Sequence, residues 1–320
     1  MTTIGLDVGG TKVLGVVVDP LDPSRVLIER RVPTPAGGEG LVDVLAELVE
    51  ELVEGLVEGP GADPVSVGVG VPGLVDRTGV LHMGPHLRSL HAVPLARLLT
   101  ERLGLSTQVD NDANCHALAE LVGGAARGTS DALVVTLGTG IGAGIVSQGQ
   151  VLHGAHGFAG EPGHMVVDPS GPPCPCGKRG CWERYASGSG LARLGREAAE
   201  AGRLDGAVAL AGGDPDAVRG EHVTAAARAG DPEAVEVLAG FAGWIGLGLA
   251  NLVNILDPEL IVVGGGLVGD ADLILPLVRT HVAALVMAAE QRPEVPIVPA
   301  ALGERAGAIG AAQLAQPVER

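Results

Sequence analysis

The chain has 320 residues, 46% of them hydrophobic but only 2% aromatic, and its 21 Lys and Arg against 38 Asp and Glu leave a formal charge of −17. That length suits about two domains with a core built from Val, Leu, Ile and Ala, in which each tryptophan should be anchored. An acidic surface repels nucleic acid and anionic membranes, so neither is an expected partner, and a polyanionic ligand has to be held locally by backbone amides.

Met1 to Asp7 has no basic stretch ahead of an apolar run and reads as the start of a strand rather than a secretory signal. Thr3 to Val8 and Val13 to Val18 are β-rich runs joined by Gly9-Gly10-Thr11-Lys12, a strand, tight turn, strand pattern. The two glycines let backbone N–H groups approach a phosphate. Thr11 adds a hydroxyl and Lys12 a cation, and Asp7 at the strand end can face a hydrated Mg²⁺. No helix follows at Walker or dinucleotide spacing, so a plain hairpin is the competing reading. The pattern recurs, however: Ala132 to Leu137 leads into Gly138-Thr139-Gly140-Ile141-Gly142 and then Ala143 to Ser147. Two such turns from two domains could clamp one polyphosphate, the geometry of a nucleotide in an interdomain cleft.

Between the turns, the pattern predicts an amphipathic helix over Gly40 to Val57, a strand over Val65 to Val71, a helix near Leu95 to Leu103 and a strand over Ser106 to Val109. Alternation of strands and helices argues for α/β layering. Asp110-Asn111-Asp112-Ala113-Asn114 falls where a strand ends and a helix begins. Helix capping is one reading of it, but capping needs only one of these residues. An Asn-Asp pair there can instead hold sugar hydroxyls, with Asp112 taking the proton of an attacking hydroxyl.

Cys174, Cys176 and Cys181 lie within eight residues, with Glu161-Pro-Gly-His164 upstream and Glu183 just beyond. Thiolates and a neutral imidazole suit Zn²⁺, and Gly177 and Gly180 let a short loop fold around one ion. Four protein ligands close the tetrahedron, so the metal would brace the loop rather than activate water. Buried or redox-active thiols are the alternative. Reduced thiols and a metal both fit a cytoplasmic protein. Further helices are predicted around Gly190 to Ala201, Val223 to Ala229 and Pro232 to Ile255, with Gly202 to Glu221 as an irregular connection. The apolar Phe241 to Leu256 is too short to span a bilayer comfortably and reads as buried helix. A strand over Leu260 to Val263 ends in Gly264-Gly265-Gly266, and a short helix closes the chain from about Glu304 to Ala315.

Taken in order, Asp7-Val-Gly-Gly-Thr-Lys12, Asn111-Asp-Ala-Asn114, Leu137-Gly-Thr-Gly140, Gly160-Glu-Pro-Gly-His164, the cysteine loop to Glu183 and Val262-Val-Gly-Gly-Gly266 resemble the ROK (repressor, open reading frame, kinase) family, most closely its ATP-dependent glucokinases. The resemblance covers the whole chain. It implies a two-domain α/β fold of the actin-like, hexokinase type with an interdomain cleft and a structural zinc loop. The domains would be a small α/β domain over 1–110, completed by a C-terminal helix over 304–320, and a large one over 111–303 carrying the zinc loop at 164–183. It also implies transfer of the γ-phosphoryl group of MgATP to the 6-hydroxyl of glucose.

Carried over residue by residue, Asp112 matches the catalytic base. Gly73, Asn111, Glu161, His164 and Glu183 match sugar contacts, and His164, Cys174, Cys176 and Cys181 match zinc ligands. Gly9, Gly10, Thr11 and Lys12 match one phosphate turn, Gly138, Thr139 and Gly140 the other, and Gly264, Gly265 and Gly266 the adenosine side. The resemblance further implies a homo-oligomer, a dimer or tetramer. Where glucokinases of this family carry Pro-Asn and a nearby Trp, the chain has Pro85-His86 and Leu90, which leaves another hexose, an amino sugar such as kanosamine or a C7 cyclitol as alternative acceptors. A sugar-sensing regulator is the rival class. The repressor branch carries a winged helix ahead of the first turn, for which Asp7 leaves no room, and the charge of −17 offers DNA no basic face.

Overall fold

The computed structural model describes residues 2–57, 66–85, 87 and 89–316. His86 lies outside them. The chain forms two compact units, Met1–Val134 with Gly144–Gly160 and Ala300–Arg320, and Val135–Ala143 with Glu161–Pro299. The first unit therefore runs past residue 110, and it is discontinuous because the C-terminal segment returns to it.

In chain order the elements are β1 (Thr3–Val8), β2 (Lys12–Val18), β3 (Val26–Pro33), α1 (Leu41–Val57), β4 (Ser66–Val71), β5 (Leu74–Val75), β6 (Leu81–Met83), α2 (Leu95–Leu103), β7 (Ser106–Asn111) and α3 (Asp112–Gly123). There follow β8 (Ala132–Leu137), β9 (Ile141–Ser147), β10 (Gln150–Val151), α4 (Glu183–Ala186), α5 (Gly188–Glu200), α6 (Asp205–Leu210), α7 (Gly220–Arg228), α8 (Pro232–Leu256), β11 (Leu260–Gly264), α9 (Ala271–Leu285), β12 (Ile297–Pro299) and α10 (Ala306–Leu314).

The sheet of the first unit has the order β3-β2-β1-β4-β7. β2 is antiparallel to β1 and β3, while β1, β4 and β7 are parallel. The register sets Asp7 beside Gly70 and Gly70 beside Asp110, so the chain's acidic motif residues gather at the carboxyl ends of three parallel strands. Ligands of open α/β sheets bind at that end. Period-two alternation builds both faces. Val13 and Val17 join Leu45, Leu48 and Leu52 of α1 in one core, whereas Leu14, Val16 and Val18 face Ala308, Ile309 and Ala312 of α10. α10 lies directly on the sheet because Gly5 and Gly68 have no side chain. A Cβ on either would strike the Ala308 or Ala311 carbonyl.

The other five-stranded sheet has the order β10-β9-β8-β11-β12, with β11 and β12 parallel. In the second unit α8 buries Phe241, Ile245, Leu249 and Val253 completely. Among the described residues α8 alone is long and apolar enough to cross a membrane, but 56% of its apolar window is buried in the protein, as for a core helix. Both tryptophans are anchored. The indole N–H of Trp182 donates to the Trp244 carbonyl at 2.7 Å, and Trp244 stacks on Tyr185 with centroids 4.1 Å apart.

α6, β3 and α9 are among the elements that the sequence reading did not give. Gly202 to Glu221, expected to be irregular, contains α6, a 3-10 turn at Pro215–Ala217 and the start of α7. Its glycines and aspartates hide the helix signal, which tertiary contacts supply: Ala207 is buried and the Leu204 N–H donates to Glu233 Oε2 at 2.6 Å. β3 carries Glu29, Arg30 and Arg31 and has no apolar alternation to read, as suits an edge strand. α9 has Pro276 in its interior, which masks a 15-residue helix.

Candidate active site and metal cluster

In the first unit, the β7–α3 junction separates the roles that the sequence left open. Asn111 is the N-cap: its Oδ1 accepts from the Ala113 and Asn114 N–H groups at 2.8 and 3.3 Å. Its Nδ2 donates to the Gly73 carbonyl at 3.0 Å. Gly73 holds φ at +120° with its Cα against the Met83 carbonyl, a place no side chain could share. The carboxyl of Asp112, the first helical residue, accepts from the Ala113 N–H at 2.9 Å on Oδ1. Burial pushes its carboxyl above the usual carboxylate range, against the pull of His116. A carboxylate with a raised pKa and a spare oxygen is what proton abstraction needs.

Asp7, the penultimate residue of β1, lies in the same row, and burial raises its pKa to about 6. The Gly9–Lys12 turn is closed by a Gly9 N–H to Lys12 carbonyl bond of 2.9 Å, and Thr34 Oγ1 donates to the Gly9 carbonyl at 2.7 Å. The Lys12 ammonium pairs with Glu304 at 3.0 Å on the surface, where such an ion pair is weak. Leu90, at the position that departs from the family pattern, packs against Gly38 and the apolar core.

In the second unit, His164, Cys174, Cys176 and Cys181 place four ligand atoms within 4.8 Å of one another. Cys176 Sγ lies 3.6 Å from Cys181 Sγ, and Cys174 Sγ lies 3.9 Å from His164 Nδ1. The cluster can hold a metal ion. With Nδ1 turned to the sulfurs, Nε2 of His164 points the other way, 3.9 Å from Glu161 Oε2. The loop is braced outside the cluster as well: Tyr185 donates to Asp168 Oδ2 at 2.7 Å, and the Trp182 N–H donates to the Met165 carbonyl at 2.7 Å.

Glu183 opens α4 two residues after Cys181 and reaches the glycine turn between β8 and β9. Its Oε2 accepts from the Ile141 N–H at 2.9 Å and lies 2.4 Å from where a Cβ on Gly140 would be. The Gly188 N–H and Ser189 Oγ donate to the Gly138 and Thr139 carbonyls at 2.8 and 2.7 Å. Gly265 packs on the Leu137 backbone, so Gly264 to Gly266 adjoin Gly138 to Gly140. The metal loop, the glycine turn and the third glycine run thus form one connected patch. Sequence reasoning had Glu183 only as a sugar contact and missed Ser189, whose hydroxyl carries no spacing signal.

A family model described as "ROK family" matches residues 3–318. A glucokinase of Streptomyces coelicolor is 38% identical over 317 residues, 98% of this chain and 97% of that protein. Among solved structures, a ROK family glucokinase from Streptomyces griseus in complex with glucose and AMPPNP is 38% identical with a TM-score of 0.86, covering 98% of this chain and 99% of its own. A ROK hexokinase from Thermus thermophilus is 35% identical with a TM-score of 0.77, covering 98% of both chains. The fold is therefore the two-domain, actin-like α/β fold of the hexokinase type. The chain belongs to the ROK family.

Proposed function

We propose that the protein is an ATP-dependent glucokinase, transferring the γ-phosphoryl group of MgATP to the 6-hydroxyl of glucose. The observation that carries this reading is the split at the β7–α3 junction, where Asn111 caps the helix and leaves Asp112 as a buried carboxyl whose pKa burial raises. The glucose and AMPPNP bound to the Streptomyces griseus relative support the choice of substrates. In this reading Asn111, Glu161, His164, Glu183 and the Gly73 backbone hold sugar hydroxyls, and Asp112 accepts the 6-hydroxyl proton late in a loose phosphoryl transfer. Amides of Gly9 to Lys12 and Gly138 to Gly140 would cradle the phosphates, Asp7 would hold the hydrated Mg²⁺ that offsets their charge, and Gly264 to Gly266 would border the adenosine.

Zn²⁺ is the ion we assign to the cysteine cluster. Bonds of about 2.3 Å to sulfur and about 2.0 Å to nitrogen give a tetrahedron with sulfur–sulfur edges of about 3.8 Å and sulfur–nitrogen edges of about 3.5 Å; the 3.6 Å Cys176–Cys181 edge is close to this, while the 3.9 Å Cys174–His164 edge and the 4.8 Å bound on all four atoms describe a slightly wider cluster of the donor set zinc prefers. When bound, such an ion keeps the thiols deprotonated and fixes the His164 ring through Nδ1, which leaves Nε2 for a sugar hydroxyl.

A coupled ADP-release assay over glucose, mannose, fructose, N-acetylglucosamine, kanosamine and a C7 cyclitol tests the reading. Glucose is expected to give the highest kcat/KM. If glucose is inert while an amino sugar or cyclitol reacts, the acceptor assignment fails and the kinase assignment stands; turnover of no acceptor removes both.

A further inference from the structure

Asp110 precedes the assigned pair and is itself buried, with both oxygens engaged. Its Oδ1 accepts from the Asn111 backbone N–H at 2.7 Å and from Asn114 Nδ2 at 2.9 Å. Its Oδ2 lies 2.7 Å from Nε2 of His153, a partly exposed residue just after β10. The loop that presents His153 is pinned to the hairpin carrying Gly73. Arg77 donates from Nε and Nη2 to the Gly154 carbonyl at 3.0 and 2.6 Å, and Gly157 fits so closely that a Cβ on it would lie 2.7 Å from the Val75 carbonyl. Asn111 Nδ2 bonds the Gly73 carbonyl and closes a ring of contacts from His153 through Asp110, Asn111, Gly73 and the β5–β6 hairpin back to Gly154.

This ring contains the two assigned sugar-site groups of the first unit, Asn111 and Gly73, and Asp112 follows directly in the chain. The hydrogen bond to Asp110 raises the His153 pKa despite partial burial and the repulsion of Arg77. Asp110 also lies close enough to Asp112 to oppose its ionisation. A buried carboxylate missing one of its three donors would rotate to find another, and the Asn111 N–H and Asn114 amide would move with it.

We propose that His153, acting through Asp110, is a positioning residue that sets the direction of Asn111 and Asp112 for phosphoryl transfer. The proposal rests on the sugar-kinase reading above. Its test is steady-state kinetics of the full chain with glucose and MgATP, with the melting temperature of each variant measured alongside. His153→Ala is expected to lower kcat by about tenfold and raise the glucose KM several-fold while the ATP KM stays within about twofold. His153→Gln presents an amide N–H at the place of Nε2 and is expected to recover most of that loss. Arg77→Ala alters an exposed side chain and loosens only the loop bearing His153; it should lower kcat by about threefold with the ATP KM unchanged. A mere strut would change melting temperature with no such split and no rescue. An active wild type with kcat unchanged in His153→Ala and Arg77→Ala overturns the positioning role, as does a Gln variant as slow as the Ala variant. A wild type that phosphorylates no sugar overturns the kinase reading instead.

Discussion

Asn111 and Asp112 are adjacent, similar in size and both able to cap a helix, yet they hold different bonds. Because Asn111 already satisfies the first N–H groups of α3, Asp112→Asn should leave the helix intact and remove only the proton acceptor. We expect kcat to fall by about 10² to 10⁴ with glucose and ATP binding kept, measured by steady-state kinetics and calorimetric titration; a kcat within a few-fold of wild type rules the base out. The same variant has a pH signature. The folded pKa of Asp112 lies above its unfolded value of 3.8, so between the two the folded state binds the extra proton and stability falls as pH rises. Above that window the burial of the charge is fully destabilising. Asp112→Asn should therefore melt a few degrees higher than wild type at pH 7.5, with the gap closing as the pH drops toward 3.8. Glu183→Ala removes both the assigned sugar contact and the acceptor of the Ile141 N–H. It should raise the glucose KM by about tenfold and the ATP KM by about threefold, whereas a pure sugar contact would leave the ATP KM unchanged. Asp112 and Glu183 were legible because each sits in a dense motif. Asp110 and His153 were not paired by the sequence, since 43 residues separate them and no spacing rule links a strand end to a loop imidazole.

At the scale of elements, the cysteine loop and α10 are the two segments whose removal has the clearest consequences. The purified protein should carry about one zinc ion per chain by elemental analysis, and Cys176→Ser should lose the metal together with glucose affinity, with ATP affinity following less steeply through Glu183. Full metal content and unchanged sugar affinity in that variant would refute the cluster's assignment. α10 depends on Gly5 and Gly68 for its seat on the sheet, where an added Cβ would meet helix backbone rather than a movable side chain. Gly68→Ala should cost about 2 to 4 kcal/mol of unfolding free energy, read from urea melts; a loss under about 0.5 kcal/mol would show that the helix can lift without penalty. The short apolar helix itself could be read from the chain, since Ala306 to Leu314 has no strand alternation. That it completes the first domain was implied by the family resemblance rather than by its own pattern. α6, α9 and β3 escaped because glycine, proline and edge charges blur local signals that packing then overrides.

For the whole molecule, the charge of −17 on 320 residues acts against compactness through self-repulsion. Raising salt from about 10 mM to about 200 mM shortens the screening length from roughly 30 Å to below 10 Å, so the melting temperature should rise by a few degrees before ion-specific effects enter. A fall over that range would mean that surface ion pairs such as Arg228 with Asp270 and Asp272 outweigh the net repulsion. The sequence by itself determined the alternating α/β plan, the two glycine hairpins, the Cys and His cluster and the Asn-Asp junction. Each of these is written in residues close together in the chain, where periodicity, turn chemistry and ligand spacing apply. Only the tertiary structure decided that residues 144–160 belong to the first unit, that Asn111 rather than Asp112 caps α3, that Glu183 ties the metal loop to the glycine turn, and that His153 meets Asp110. Those contacts join distant segments, and their geometry depends on sheet register, helix seating and side-chain direction, which local sequence patterns do not encode.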